Sequence, residues 1–177
     1  MAAAPWQVFR FCPRCGAARN DAPEHAAPFR CDTCEFLYFF NPAIAVAALI
    51  LREDGKALFI RRAKDPAKGR LAMVGGFVDV DERAEDALRR EVREEVQLDL
   101  DDLRFLSSHA NDYHYGDIVY PVVDLIFVAR TRDHDKAAAL DGVASFAWLD
   151  PEQVELEELA FPSMRDALTR YRAESRS

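Results

Sequence analysis

GFVDVDERAEDALRREVREEVQL, residues 76–98, is the stretch on which the fold of this 177-residue chain turns. Apolar residues recur every fourth position at Ala84, Leu88, Val92 and Val96. The segment from about Glu82 to Val96 therefore reads as a helix with one stripe packed on a sheet. Beside that stripe lie three carboxylates, Glu91, Glu94 and Glu95. Their spacing puts them on one side of the helix, within an arc of about 100°. Close carboxylates repel one another unless a cation sits among them. Hard dications such as Mg2+ or Mn2+ take oxygen ligands of this kind and keep water in the remaining positions. A Glu-rich helix is more often a plain solvated face, so the spacing alone does not decide the matter.

Upstream, AIAVAALIL (43–51) and ALFI (57–60) flank Glu53-Asp54-Gly55-Lys56, the pattern of a β-hairpin. A basic loop follows, in which Arg61, Arg62, Lys64, Lys68 and Arg70 face only Asp65. It is equally suited to steering phosphates or to lying solvated. LAMVGGFV (71–78) then leads into the helix. Downstream, strands are expected at Leu103–Ser108, Ile118–Ala129 and Ser145–Leu149, with Pro121 marking a bulge or an irregular edge. Two short helices should close the chain. One is signalled by the capping box Asp150-Pro151-Glu152-Gln153, the other follows Pro162 with Met164, Ala167, Leu168 and Tyr171 on one face. This element order predicts an α+β fold, a mixed sheet covered by helices on both faces.

The first forty residues are different in kind. Cys12-x2-Cys15 and Cys31-x2-Cys34 form two knuckles separated by fifteen residues, the spacing of a closed four-thiolate zinc site. Four protein ligands leave no room for water, so such a zinc is structural and organises a segment too poor in apolar residues to fold alone. His25, between the knuckles, reads as a solvated loop residue. The run Phe36 to Phe40 suits either a homodimer interface or packing within its own module.

Composition narrows the partners. A net charge of -8 argues against nucleic acid or an anionic membrane, so an anionic substrate requires a local basic patch or a bound cation. The longest apolar stretch, Ala43–Leu51, is half a membrane span, and the start MAAAPWQVFRF lacks a signal-peptide layout. The expected compartment is the reducing cytoplasm, where cysteines serve metals more often than disulfides.

Residues 76–98 resemble the Nudix box, G-x5-E-x7-R-E-U-x-E-E-x-G-U with U aliphatic. Gly76, Glu82, Arg90, Glu91, Val92, Glu94, Glu95 and Leu98 fall in register, eight of nine fixed positions. Gln97 stands where the second glycine is usual, and Asp81 where many members carry glycine. The resemblance implies a Nudix α/β/α sandwich over residues 42–177, preceded by a zinc ribbon over 1–41. It implies hydrolysis of a pyrophosphate bond in a nucleoside diphosphate linked to another moiety, such as ADP-ribose, NADH or FAD. Glu91, Glu94, Glu95 and the Gly76 carbonyl match the positions that hold Mg2+ or Mn2+, and Glu82 with Arg90 match a supporting pair. Glu94 or Glu95 would serve as general base, or else an acid from a distant loop, Asp141 or Glu53. Arg61 and Arg62 are the candidate substrate contacts. A four-cysteine ribbon followed by Asn41-Pro42 and such a box is similar to the zinc-ribbon subgroup, which includes NADH pyrophosphatases. The NADH-cleaving type carries a motif beginning Ser-Gln-Pro-Trp, absent from SSHANDYHYGDIVYP (107–121). The rival expectation is a non-catalytic nucleotide sensor or a zinc-ribbon nucleic-acid-binding regulator.

Overall fold

The computed structural model describes residues 2–21, 23 and 25–176. The chain forms two compact units, Met1–Ala43 with Asp112–Pro121, and Ile44–Asn111 with Val122–Ser177.

In the first unit, helix α1 (Pro5–Val8) is a single turn, and strands β1 (Phe29–Arg30) and β2 (Leu37–Tyr38) pair antiparallel. Each cysteine knuckle closes the same way. Gly16 N–H donates to Cys12 O and Glu35 N–H to Cys31 O, both at 2.9 Å, and both donor residues have positive φ. A left-handed residue turns the chain back after each Cys-x2-Cys, at no steric cost for Gly16 and at some cost for Glu35. Cys12, Phe29 and Cys31 form a small core, with Phe9, Phe36 and Phe40 packed against it. The run Phe36–Phe40 thus splits. Its two ends pack within this unit, while Leu37, Tyr38 and Phe39 are exposed. His25 is exposed as well.

The second unit is built on a seven-stranded sheet. Its strands are β3 (Ala43–Leu51), β4 (Ala57–Arg62), β5 (Leu71–Ala72), β6 (Val74–Phe77), β7 (Asp101–Tyr115), β8 (Ile118–Arg130) and β9 (Val143–Leu149). The order is β5-β4-β3-β8-β7, with β6 also paired to β3 and β9 to β4. Strands β3 and β4 form the Asp-Gly hairpin, Ile50 opposite Leu58 and Leu51 opposite Ala57, with Gly55 at φ 81° in the turn. Thr131 N–H, just past β8, donates to Leu51 O at the end of β3. The two strands therefore run the same way, which makes the sheet mixed. Strand β8 continues through Pro121 without interruption.

Helix α2 (Ala84–Val96) buries Ala87, Leu88, Val92 and Val96, with Ala84 partly covered. It begins two residues later than its apolar spacing suggests, because Asp81 takes a positive φ and Arg83 is the extended N-cap. Helix α3 (Pro162–Ser175) buries Met164, Ala167 and Leu168 and half-covers Tyr171. The capping-box sequence at Asp150 makes a turn rather than a helix. Asp150 Oδ1 accepts from Glu152 N–H and Asp150 O from Gln153 N–H, and only a short 3-10 turn (Leu156–Glu158) follows. The cap signal was genuine, but no apolar stripe long enough to bury came after it.

Candidate functional site

Two glycines set the approach of β6 to its neighbours. A Cβ on Gly75 would stand 2.0 Å from Val46 O on the paired strand β3. A Cβ on Gly76 would stand 2.5 Å from the Glu91 carboxyl. The side chains of α2 thus lie directly over bare backbone, and Gly75 N–H donates to Glu95 Oε2 at 3.3 Å.

Arg90 is the centre of the carboxylate network. Its Nε and Nη2 fork onto Glu82 at 3.0 and 2.9 Å, and Nη2 also donates to Phe77 O at 3.1 Å. Its Nη1 donates to Glu91 at 2.8 Å and to Glu94 at 3.2 Å. Glu82 lies outside the helix, yet its other contact, from Asp79 N–H at 3.1 Å, ties the loop before α2 to the same fork. The guanidinium therefore fixes loop and helix in one geometry.

The electrostatics follow burial. Hydrogen bonding from Arg90 holds Glu82 below the ordinary carboxylate value. Desolvation raises Glu91 despite Arg90. Burial pushes the Glu95 carboxyl up to about 7, against the Gly75 N–H, with Glu91 and Asp141 adding to the rise and Arg62 opposing it. Two half-buried carboxylates that resist ionisation are a place where added positive charge is favoured.

Other candidates divide by position. Asp141 is near Glu95: the position of a Cβ on Gly142 is 3.6 Å from Glu95 Oε1, and Leu140 N–H donates to Glu95 O. Lys64 from the basic loop holds Asp141 at 2.7 Å. Glu53 is at the other end of β3, in the hairpin turn, and does not join this group. Arg62 donates to Pro66 O at 2.7 Å and lies over the Phe161 ring, while Arg61 reaches Gly69 O and Glu158. Both arginines are thus engaged by their own surroundings, and Arg62 alone of the two is felt at Glu95.

In the first unit the four cysteine sulfurs lie within 4.8 Å of one another. Cys12 to Cys34 is 3.7 Å and Cys15 to Cys31 is 3.6 Å. A tetrahedron with metal–sulfur bonds of about 2.3 Å has edges of about 3.8 Å, so the cage fits a tetrahedral thiolate metal, whereas a disulfide needs about 2.05 Å. The Cys34 and Thr33 backbone N–H groups point at the Cys31 sulfur and hold its thiol down to about 6. Among the described residues this is the single cluster whose ligand atoms converge ready for an ion. Glu91, Glu94 and Glu95 share one side of α2 without converging, because Arg90 takes the first two and Gly75 the third.

A NUDIX domain family model matches residues 41–171. Over 99 residues the chain is 32% identical to the "NAD-capped RNA hydrolase NudC" of Pseudomonas fluorescens, covering 56% of this chain and 35% of that protein. Over 67 residues it is 40% identical to the "ADP-ribose pyrophosphatase" of Methanocaldococcus jannaschii, covering 38% and 39%. The chain thus spans well under half of these curated relatives. A crystal structure of a NUDIX hydrolase from Nitrosomonas europaea superposes with a TM-score of 0.69 at 22% identity, over 94% of this chain and 92% of that one. That likeness establishes the fold. No helix among the described residues is long and apolar enough to cross a membrane.

Proposed function

Because the chain belongs to the NUDIX domain family, we propose that it hydrolyses the pyrophosphate bond of a nucleoside diphosphate linked to a second moiety, with ADP-ribose and NAD-type dinucleotides as the first candidates. The observation that carries this reading is the Arg90 fork, which holds Glu82, Glu91 and Glu94 over the bare Gly75-Gly76 backbone with Glu95 beside them. The activities for which the two relatives are named support the substrate class.

Residues 42–177 are assigned to hydrolysis and residues 1–41 to a zinc ribbon. Glu91, Glu94, Glu95 and the Gly76 carbonyl would hold Mg2+ or Mn2+, for which an all-oxygen donor set with two half-buried carboxylates is suited. When bound, the cation supplies neutralisation of the phosphoryl oxygens and acidification of a water. The chain's own groups do the rest. Arg90 keeps the glutamates on one side of α2. Arg62 and Lys64 place positive charge beside Glu95 and Asp141, where phosphate oxygens would gather. Glu94, Glu95 or the loop carboxylate Asp141 would accept a proton from water, and Glu53 is too far along β3 to do so. Cys12, Cys15, Cys31 and Cys34 would hold structural Zn2+, their sulfur spacing being that of a tetrahedral cage.

The test is turnover of ADP-ribose, NADH, FAD and a nucleoside triphosphate with Mg2+ or Mn2+, beside Glu95→Gln. The expected result is metal-dependent cleavage of at least one substrate, reduced about a thousandfold or more in the variant. Substrates that stay intact while calorimetry registers nucleotide binding would replace hydrolysis by ligand sensing.

A further inference from the structure

At the end of the sheet away from the glutamates, the second unit carries two adjoining cavities. One, of about 330 Å3, is lined by Leu51, Asp102, Arg104, Val128, Arg130 and Tyr171. The other, of about 180 Å3, shares Leu51, Asp102 and Arg130 and adds Arg52, Glu53, Asp101, Thr131 and Arg132. Val46, opposite Gly76, is five residues up β3 from Leu51, which at about 3.3 Å per residue puts the cavities roughly 17 Å along the strand from the Arg90 network.

Three features mark this corner, where Arg130 and Asp102 are both exposed. Arg104 is paired with Glu174 at 3.1 Å and Arg132 with Asp101 at 3.6 Å, but Arg130 makes no ion pair among the described residues. Asp102, which lines both cavities, has φ 42°, a conformation uncommon for a residue with a side chain. Among the described residues four buried side-chain polar atoms lack a hydrogen-bond partner. One of them, Thr131 Oγ1, belongs to a residue that lines the smaller cavity. A buried unpaired hydroxyl, a left-handed backbone residue and a guanidinium without an ion pair among the described residues, all around two adjoining cavities, point to a ligand.

We propose that these cavities form a second, non-catalytic nucleotide site that takes a nucleoside monophosphate. A phosphate group matches the Arg130 guanidinium, which presents a planar fork of donors. Leu51, Val128 and the Tyr171 ring provide an apolar wall for a flat base. Asp102 is an acceptor for the ribose hydroxyls. A bare phosphate would leave the apolar wall uncovered and Asp102 without a donor. A nucleic-acid strand would have to run past Glu53 and Asp101, which line the smaller cavity and repel a polyanion, whereas a single phosphate beside Arg130 is taken by the larger cavity, which has neither of these acids. A nucleoside monophosphate is also what the proposed hydrolysis would release, so the site would sense a product. Its chemistry rests on the cavities themselves, and only this source of the ligand rests on that reading.

The experiment is calorimetric titration of AMP into the full chain without added Mg2+ or Mn2+, in the wild type, Arg130→Gln and Glu95→Gln. AMP should bind the wild type and Glu95→Gln alike, and Arg130→Gln about tenfold or more weakly. Arg130→Gln should keep the wild-type melting temperature and the wild-type kcat/KM on whichever substrate is cleaved. No AMP binding, or binding unmoved by Arg130→Gln, overturns the proposal. Binding abolished by Glu95→Gln places the nucleotide in the glutamate cleft and overturns it too. Inorganic phosphate displacing AMP at comparable concentration would reduce the site to a simple anion site and reject the nucleotide. Failure of hydrolysis alone would leave these binding results standing, so the two readings are separable.

Discussion

Two adjacent glycines that look equivalent in the sequence have different jobs. A Cβ at Gly75 would meet backbone, Val46 O and Ala47 Cα, which cannot move without unzipping β3 from β6. A Cβ at Gly76 would meet only the Glu91 carboxyl, the end of a flexible side chain. Gly75→Ala should therefore lower stability by about 2 kcal/mol or more, read as a fall in the urea midpoint. Gly76→Ala should keep most of its stability but lose roughly tenfold to a hundredfold in kcat/KM, because a displaced Glu91 spoils positioning. An equal loss of stability in both would sink this distinction. The two departures from the box pattern follow the same logic of backbone geometry. Asp81 and Gln97 both have positive φ, at 64° and 59°, where glycine would be unstrained. Gln97 closes α2 in the left-handed region, its N–H donating to Arg93 O and the next N–H, of Leu98, to Val92 O. Gln97→Gly should stabilise the protein by about 0.5–1 kcal/mol, the left-handed penalty less the added freedom of the unfolded chain. Thermal melts would register this as a rise of a few degrees.

At the scale of elements, the docking of α3 depends on one buried acid. Ser163, in the first turn of α3, donates to Asp124 on β8, and Asn111 on β7 also hydrogen-bonds it, with His109 close enough to favour its charge. Desolvation nevertheless raises the Asp124 carboxyl above its ordinary 3.8. The folded chain then holds this proton more tightly than the unfolded chain does. Stability from this group is fully present below the unfolded value and falls as pH rises through the folded one, after which it is flat. Asp124→Asn keeps an acceptor for Ser163 and removes the titration. Urea melts across the acid range should show a shallower loss of stability with rising pH in the variant than in the wild type. Parallel profiles would mean that Asp124 is charged in both states over that range. The same packing argument explains the turn at Asp150: a helix start needs a face to bury, and no apolar stripe long enough follows it.

For the whole molecule, the first unit is expected to depend on its metal. Among the described residues its core is three buried side chains, two of them cysteines, which is too little apolar burial to offset the entropy of ordering the unit. Metal analysis should find about one zinc per chain, and Cys31→Ser should lose it, since zinc is bound by thiolates. Loss of zinc should expose Trp6, visible as a shift of its fluorescence in a Trp148→Phe background, and an unchanged spectrum would show that the unit folds without metal. The sequence by itself determined the hairpin at Asp54-Gly55, the buried stripe of α2, the cysteine cage and the register of the box. Each of these is a local repeat or spacing, and local geometry carries it. Tertiary structure alone decided that Glu82, outside the helix, shares Arg90 with Glu91 and Glu94, and that Gly75 and Gly76 face different neighbours. It alone brought Asp141 to Glu95 and left Glu53 at the far end of β3, and it gathered Arg104, Arg130 and Tyr171 from three elements around one cavity. The physical reason is the same in every case: strand order sets which distant residues meet, and the spacing within one segment carries no information about it.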